Sequence, residues 1–412
     1  KYLMEYLNTD ILTRKDKIFL TVYTFFAAFI LFPLLSDYFP LDSQTVDIFV
    51  FLMCVILYPN AYKNKLMGWA LCYFGILTLF FLFGADITIG IGKATVSKKL
   101  LIEIAWTLPS FSIVSILWYR NNLKVYNYVA LISVAVYLIS FVSVLPIVMH
   151  YDMRLLATQT ELDIHVLGLP GYTLMHAFAM SLPVAFMGYI SAEGKHKLVA
   201  LVLLICNIIL VLNTNVTTSL VAMLICIIFF LSYGKKSGIN FFRLVIIMVC
   251  VLIIYSFNVV EHFLEFLCGW FEGTAVQPKM ESFLALYRGG EDEIGAVTGR
   301  ENLHAISMDS FLSNMIWGGD QVGGHSVILD RLGGMGLLAG IPFIMLFISQ
   351  IIVWKKKFCN HLSRSYYYLG ICIATVFLYT KGLFGEEGWF MISIFVPVVI
   401  YTCSMYTVKQ SS

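Results

Sequence analysis

Long apolar runs, broken by short charged interruptions, fill most of the chain. They are read at 17–35, 44–58, 66–83, 100–119, 126–149, 173–191, 198–212, 217–233, 242–260, 335–353, 366–383 and 389–406. A bilayer core takes about 20 apolar residues per helix, and most of these runs are that long. The second and seventh are shorter, as tilted or partly re-entrant segments would be. None alternates apolar and polar positions, so a transmembrane barrel is excluded, and a backbone facing lipid must then be helical. The pattern breaks once, over Glu261 to Gly334, where the residues turn polar. The expected fold class is all-α: a polytopic membrane protein of about twelve transmembrane helices with one long, partly helical extracytoplasmic loop. Its parts are membrane helices one to nine (1–260), the loop (261–334), and helices ten to twelve with a short cytoplasmic tail (335–412).

Composition agrees. Of 412 residues, 59% are hydrophobic and 13% charged, against about 25% charged in soluble domains. A net charge of +2, with no basic, aromatic-interleaved patch, points to no nucleic-acid partner. Most of the nine cysteines lie in or beside apolar runs, and none has metal-ligand spacing, so they read as small buried hydrophobes and no metal is expected. No phosphate-binding glycine motif occurs, which excludes an ATP-driven pump on this chain alone. The first run serves as a membrane anchor. With the N-terminus inside, 18 of the 27 Lys and Arg fall on the cytoplasmic side, as the positive-inside rule requires. The long loop then faces outward, with Lys98-Lys99 as the one contrary pair.

Two outer segments carry candidate chemistry. The first, His150 to Tyr172, holds Arg154 a few residues beyond the fifth span. A guanidinium there can grip phosphate through two parallel hydrogen bonds, or simply snorkel to lipid headgroups. The second is the long loop. Phe263, Leu264, Phe266, Leu267, Trp270 and Phe271 recur at helical spacing. They predict a helix lying on the membrane surface or packed against the spans. Thr298 and Glu301 match a capping box that would start a helix. Arg300 then sits in its first turn, among backbone N–H groups that favour anions, and His304 follows on the same face. His325 ends a glycine-rich stretch before the tenth span, with Asp330 about one turn beyond it. An imidazole is suited to proton transfer near neutral pH. Arg288 is a spare cation. Gly336 and Gly340 form a small-xxx-small pair that predicts close approach of a neighbouring helix.

The stretch Thr298 to Phe343 resembles the O-antigen polymerase and ligase superfamily of bacterial membrane proteins. His325-Ser326, nine residues and then Gly336 match the His-centred motif of its ligase branch. Ala339 departs from that motif's last position, with Gly340 one place on. Gly299-Arg300 and Trp317-Gly318-Gly319 resemble its Gly-Arg pair and glycine-rich step, and Arg154 its earlier outer arginine. The Ala339 departure and the lack of a clear second ligase motif favour the polymerase branch.

The resemblance implies a bacterial inner-membrane, multi-pass, GT-C-like glycosyltransferase that needs no metal or cofactor. It would transfer a glycan from undecaprenyl pyrophosphate to a sugar hydroxyl of a second lipid-linked repeat unit. O-antigen, capsule and exopolysaccharide are all open as products. The implied catalytic residues are Arg154, Arg300 and His325, with Arg288, His304 and Asp330 binding substrate. Asp330 would orient or charge-balance His325. Partners would be the undecaprenyl-pyrophosphate-linked oligosaccharide, the bilayer, a chain-length regulator and a flippase. Two alternatives stand: an O-antigen ligase delivering polymer to lipid A core, and a lipid-linked oligosaccharide flippase or other transporter. A transporter would use Glu103, His176, Lys381, Glu386 and Glu387, the ionisable residues in or near spans, at mid-membrane.

Overall fold

The computed structural model describes the chain outside residues 1–10, 84–86, 90–93, 96, 152–170, 193, 215, 235–237, 240–258, 275, 289–297, 359, 383 and 412. The ninth predicted span and Arg154 lie outside the described residues. The other apolar runs are helices: α1 (Arg14–Leu31), α2 (Pro33–Tyr38), α3 (Ser43–Leu57), α4 (Lys65–Leu82), α5 (Ser97–Arg120), α6 (Leu123–His150), α7 (Tyr172–Ser191), α8 (Gly194–Asn213) and α9 (Thr217–Ser232). The polar segment contributes α10 (Val259–Trp270), α11 (Gln277–Tyr287) and α12 (Thr298–Ser313). Then come α13 (Val327–Lys357), α14 (His361–Thr380), and α15 (Gly385–Phe390), which runs through one π-helical turn (Met391–Phe395) into α16 (Val396–Ser411).

Polar residues between the apolar runs start the helices. Thr13 closes a capping box with Asp16, and Asp42, Asn64, Asn122, Ser326 and Asn360 each accept a backbone N–H of the first turn, which satisfies donors that lipid could not. Among the described residues, six helices are long and apolar enough to cross a membrane. Their outward faces carry hydrocarbon, as at Leu131 (64% exposed) and Val142 (67% exposed). Apolar surface of that extent, away from the core, is what a bilayer covers. The chain is therefore an all-α membrane protein.

Contacts among the described helix ends sort them into two groups. At one end the start of α1 meets the ends of α3 and α5. The Asp16 carboxylate accepts two hydrogen bonds from Arg120 at 2.8 Å and one from the Tyr58 hydroxyl at 2.6 Å. Burial alone would raise this carboxyl, but the bonds from Arg120, Tyr58 and Thr13 outweigh it and hold it below its ordinary value. Lys357, at the foot of α13, donates to Asn121 at the same end. This end is rich in lysine and arginine.

The polar segment covers the other end. α10 and α11 form a helical pair whose small core (Phe271, Val276, Met280) rests on Leu220 near the start of α9. Phe263, Phe266 and Trp270 point away from it and are exposed, so one face of α10 packs and the other is free to meet lipid. α12 packs along α13. Between them, β5 (Gln321–Val322) pairs in parallel with β1 (Thr88–Ile89), which pairs in turn with β2 (Ala94–Thr95). A separate two-residue hairpin, β3 (Tyr233–Gly234) with β4 (Gly238–Ile239), follows α9.

The tenth span differs from its predicted boundary for a definite reason. α13 begins at Val327, inside the predicted loop, and is broken at Gly336 (φ 58°, ψ −158°). The hydropathy boundary at 335 marks this break and not a helix start. The N–H groups of Leu337 and Leu338, freed there, donate to the carbonyls of Met315 and Ile316 at 2.8 and 3.2 Å. The peptide after α12 is thus stitched to the break, backbone against backbone. A Cβ on Gly318 (φ 77°) would lie 2.4 Å from the Gly334 carbonyl carbon, and one on Gly336 2.3 Å from the Ile316 oxygen. The expectation of a neighbouring helix against Gly336 and Gly340 is corrected. Gly336 receives the Ile316–Gly318 loop, and Gly340 faces Leu332 of its own helix.

Candidate functional site

His325 sits on a short loop, 323–326, between β5 and α13, and its side chain is exposed. The loop is fixed from below by one carboxylate. Asp330, buried in the first turn of α13, accepts the Gly324 N–H at 3.1 Å through Oδ1 and the Ser326 N–H at 3.3 Å through Oδ2. The residues on either side of His325 are thus held by one side chain. Oδ1 also accepts the Ser307 hydroxyl at 2.7 Å, and Ser307 Oγ accepts the Gly323 N–H at 2.8 Å. From the other side, Val327 N–H donates to the Lys381 carbonyl at 2.8 Å. The packing is tight enough that a Cβ on Gly323 would overlap the Leu303 carbonyl, and one on Gly382 the Gly324 carbonyl.

This refines the expected role of Asp330. Its hydrogen bonds hold the backbone on either side of His325 and reach the Ser307 hydroxyl. Ser307 was not among the predicted residues. Its only sequence signal was spacing: Arg300, His304 and Ser307 recur at i, i+4 and i+7, one face of α12.

That face turns toward the His325 loop. His304 packs its ring on Tyr379, with centroids 5.2 Å apart, and its Nε2 has no hydrogen-bond partner among the described residues. Arg300 lies in the first turn of α12, and its side chain is outside what is described, as is any cap on Thr298. The helix starts at Thr298, as the capping-box spacing predicts.

Arg288 stands apart. It follows α11, and its guanidinium donates to Glu261 at 2.7 Å and to Glu265. Those contacts, Glu261 first, raise its already high pKa, while the bond from His262, with Arg288, holds the Glu265 carboxyl below its usual value. Two carboxylates already balance this cation, which argues against its role as a spare phosphate ligand. It joins α10 to the end of α11.

A second polar belt adjoins the His325 loop. Beyond Lys381, Glu386 of α15 lies against Ser43 and Asp47 of α3 and Trp106 of α5, and Glu387 lies beside Thr173 of α7. Asp47 is fully buried. His176 is buried on α7 against the Phe377 ring, 4.6 Å between centroids. Arg331, next to Asp330, pairs with Glu103 of α5 and donates to the Tyr73 hydroxyl of α4 at 3.0 Å. Asp47, His176, Arg331, Lys381, Glu386 and Glu387 all fall within a few residues of a helix end, and at the same end of the bundle. Sequence reasoning named five residues for a transporter and passed over Asp47, although a single carboxylate inside the 44–58 run was itself a signal.

No group of three or more His, Cys, Asp or Glu among the described residues has the arrangement to hold a metal. Chemically, the arrangement offers an imidazole on a loop held by Asp330, a second imidazole on α12 against Tyr379, and the first turn of that helix, which carries Arg300. Such groups suit an anionic ligand and proton transfer. No family model matches the chain, and no curated protein matches it.

Proposed function

We propose that this chain is a metal-independent polysaccharide polymerase of the bacterial inner membrane. It would transfer a glycan from undecaprenyl pyrophosphate to a sugar hydroxyl of another lipid-linked repeat unit. The observation that carries the reading is the Ser307–Asp330 link. It joins α12, which carries Arg300 and His304, to the loop bearing His325, which supports reading these residues, similar to motifs of the O-antigen polymerase and ligase superfamily, as parts of one site.

The leaving group is a lipid diphosphate. Arg300, with Arg154 from the earlier outer segment, would bind it and stabilise charge as the glycosidic bond breaks. His325 would take the proton of the acceptor hydroxyl, or hold a phosphate as imidazolium. The donor is already activated, so neither ATP nor metal is required. Twelve spans with the lysine-rich end inward would put the His325 end at the outer face.

A transporter calls for ionisable residues at mid-membrane. Lys381, Glu386, Glu387 and Asp47 gather within a few residues of helix ends beside the His325 loop and not at mid-span, which supports the polymerase reading over a transport path. The ligase reading shares this geometry and differs in the acceptor. Extension of a purified lipid-linked repeat unit by the reconstituted protein tests the proposal. Alanine at Arg154, Arg300 or His325, at unchanged protein level, should abolish long chains, and Arg300→Lys should restore little, because lysine lacks the planar fork. Normal chain lengths in all three alanine variants would end the assignment. Accumulation of lipid-linked polymer in a deletion strain would indicate the ligase, and single units on the inner leaflet a flippase.

A further inference from the structure

Two adjoining cavities run along the outside of α6, between α7, α8 and α16. The first, about 460 Å³, opens at Lys124 in the first turn of α6, at the lysine-rich end of the bundle. The second, about 210 Å³, continues inward to Phe141. They share Val134, Val399 and Cys403, so they form one slot. From Lys124 to Phe141 the helix rises about 25 Å, enough for one extended acyl chain. The first cavity is the size of a small-molecule site.

The inner cavity is walled by hydrocarbon apart from one polar patch, Tyr137, Ser181 and Asn207, and the outer one adds Asn127 and Thr402 to Lys124 near the mouth. Tyr137, Ser181 and Asn207 satisfy each other. The Tyr137 hydroxyl pairs with Ser181 Oγ at 2.7 Å, and Asn207 Nδ2 donates to the same oxygen at 2.9 Å. A hydrocarbon occupant of the inner cavity therefore leaves these three polar groups paired. The rim residues Tyr128, Leu131 and Leu203 are exposed, so the slot opens sideways. The π-helical turn at Met391–Phe395 places Phe395 in its wall, and such turns recur at functional sites. Opposite it, a Cβ on Gly188 would meet nothing within 4 Å.

The geometry points to a binding site for one anionic phospholipid, its acyl chain in the slot and its phosphate at Lys124. Charge complementarity chooses the occupant: apolar walls accept any chain, but the mouth carries a cation at headgroup level, and basic pockets between spans at a membrane's cytoplasmic side bind anionic headgroups. The site lies at the opposite end of the bundle from His325 and does not depend on the polymerase reading.

The test uses the full-length protein in nanodiscs of equal phosphatidylglycerol and phosphatidylcholine, with retained lipid counted by native mass spectrometry. One phosphatidylglycerol should be retained, favoured about fivefold, the equivalent of ~1 kcal/mol. Lys124→Ala should equalise the two lipids. Gly188→Leu should fill the slot and remove the retained lipid without lowering thermal stability; if that variant does not accumulate, Ala200→Leu fills it from α8. Retention unchanged in the filled variant, no preference in the wild type, or displacement of phosphatidylglycerol by added undecaprenyl phosphate would each overturn the assignment.

Discussion

The Ser307–Asp330 contact can be weighed in numbers. Asp330→Ala removes the acceptor of three donors: the Ser307 hydroxyl at 2.7 Å and the N–H groups of Gly324 and Ser326 at 3.1 and 3.3 Å. A hydrogen bond to a charged group contributes about 1.5–3 kcal/mol, and the longest of these lies beyond good geometry. With water reaching part of the loop, the expected loss is about 3 kcal/mol. Ser307→Ala removes the donor to Asp330 and the acceptor of Gly323 N–H, an expected loss of about 2 kcal/mol. The bond between them is lost only once. The double variant should therefore cost about 3.5 kcal/mol, less than the sum by about 1.5 kcal/mol. Urea unfolding in detergent micelles, extrapolated to zero denaturant, measures all four corners of this cycle. Additivity within about 0.5 kcal/mol would show that the two side chains act independently and that Asp330 does not fix the loop through Ser307.

The backbone stitch at the α13 break predicts a contrast between glycines. Gly336→Ala combines a left-handed φ with contact against the Ile316 carbonyl and should cost more than ~2 kcal/mol. Gly75→Ala, where a Cβ meets nothing within 4 Å, should be neutral or stabilising by about 0.5 kcal/mol, both read by thermal unfolding. The Glu103–Arg331 pair is largely buried, so Arg331→Leu alone should destabilise by about 3 kcal/mol, whereas Glu103→Leu/Arg331→Leu together should recover most of the loss; a double variant no better than the single one would contradict this. Asp16 titrates below its ordinary value, so its contribution to stability is complete above the unfolded carboxyl pKa near 3.9 and is lost as pH falls through the lowered folded value. Asp16→Asn should flatten the acid limb of a stability–pH curve, and an unchanged limb would refute the role.

Much of the architecture was legible because lipid imposes a simple rule. A backbone in hydrocarbon must satisfy its own hydrogen bonds, so long apolar runs can only be helices. Asp42, Asn64, Asn122 and Asn360, standing just before such runs, also announce their starts. The α12 start at Thr298 and the amphipathic α10 were visible for the same reason: their spacing is local. The break at Gly336 was half visible. Hydropathy marked the position, but a composition change cannot tell a helix start from a helix broken and stitched to another loop.

The candidate site divides in the same way. The sequence by itself determined an all-α membrane protein, and the placing of Arg300 and His304 on one helix face, because helix period and burial in lipid act over neighbouring residues. Tertiary structure decided that Asp330 grips the peptides around His325, that Ser307 joins it, that Arg288 is held by Glu261 and Glu265, and that Asp47 meets Glu386 across more than three hundred residues of chain. Those contacts depend on which helix ends come together. Every span is greasy enough to pack beside every other, so only the folded arrangement selects which buried charges become neighbours.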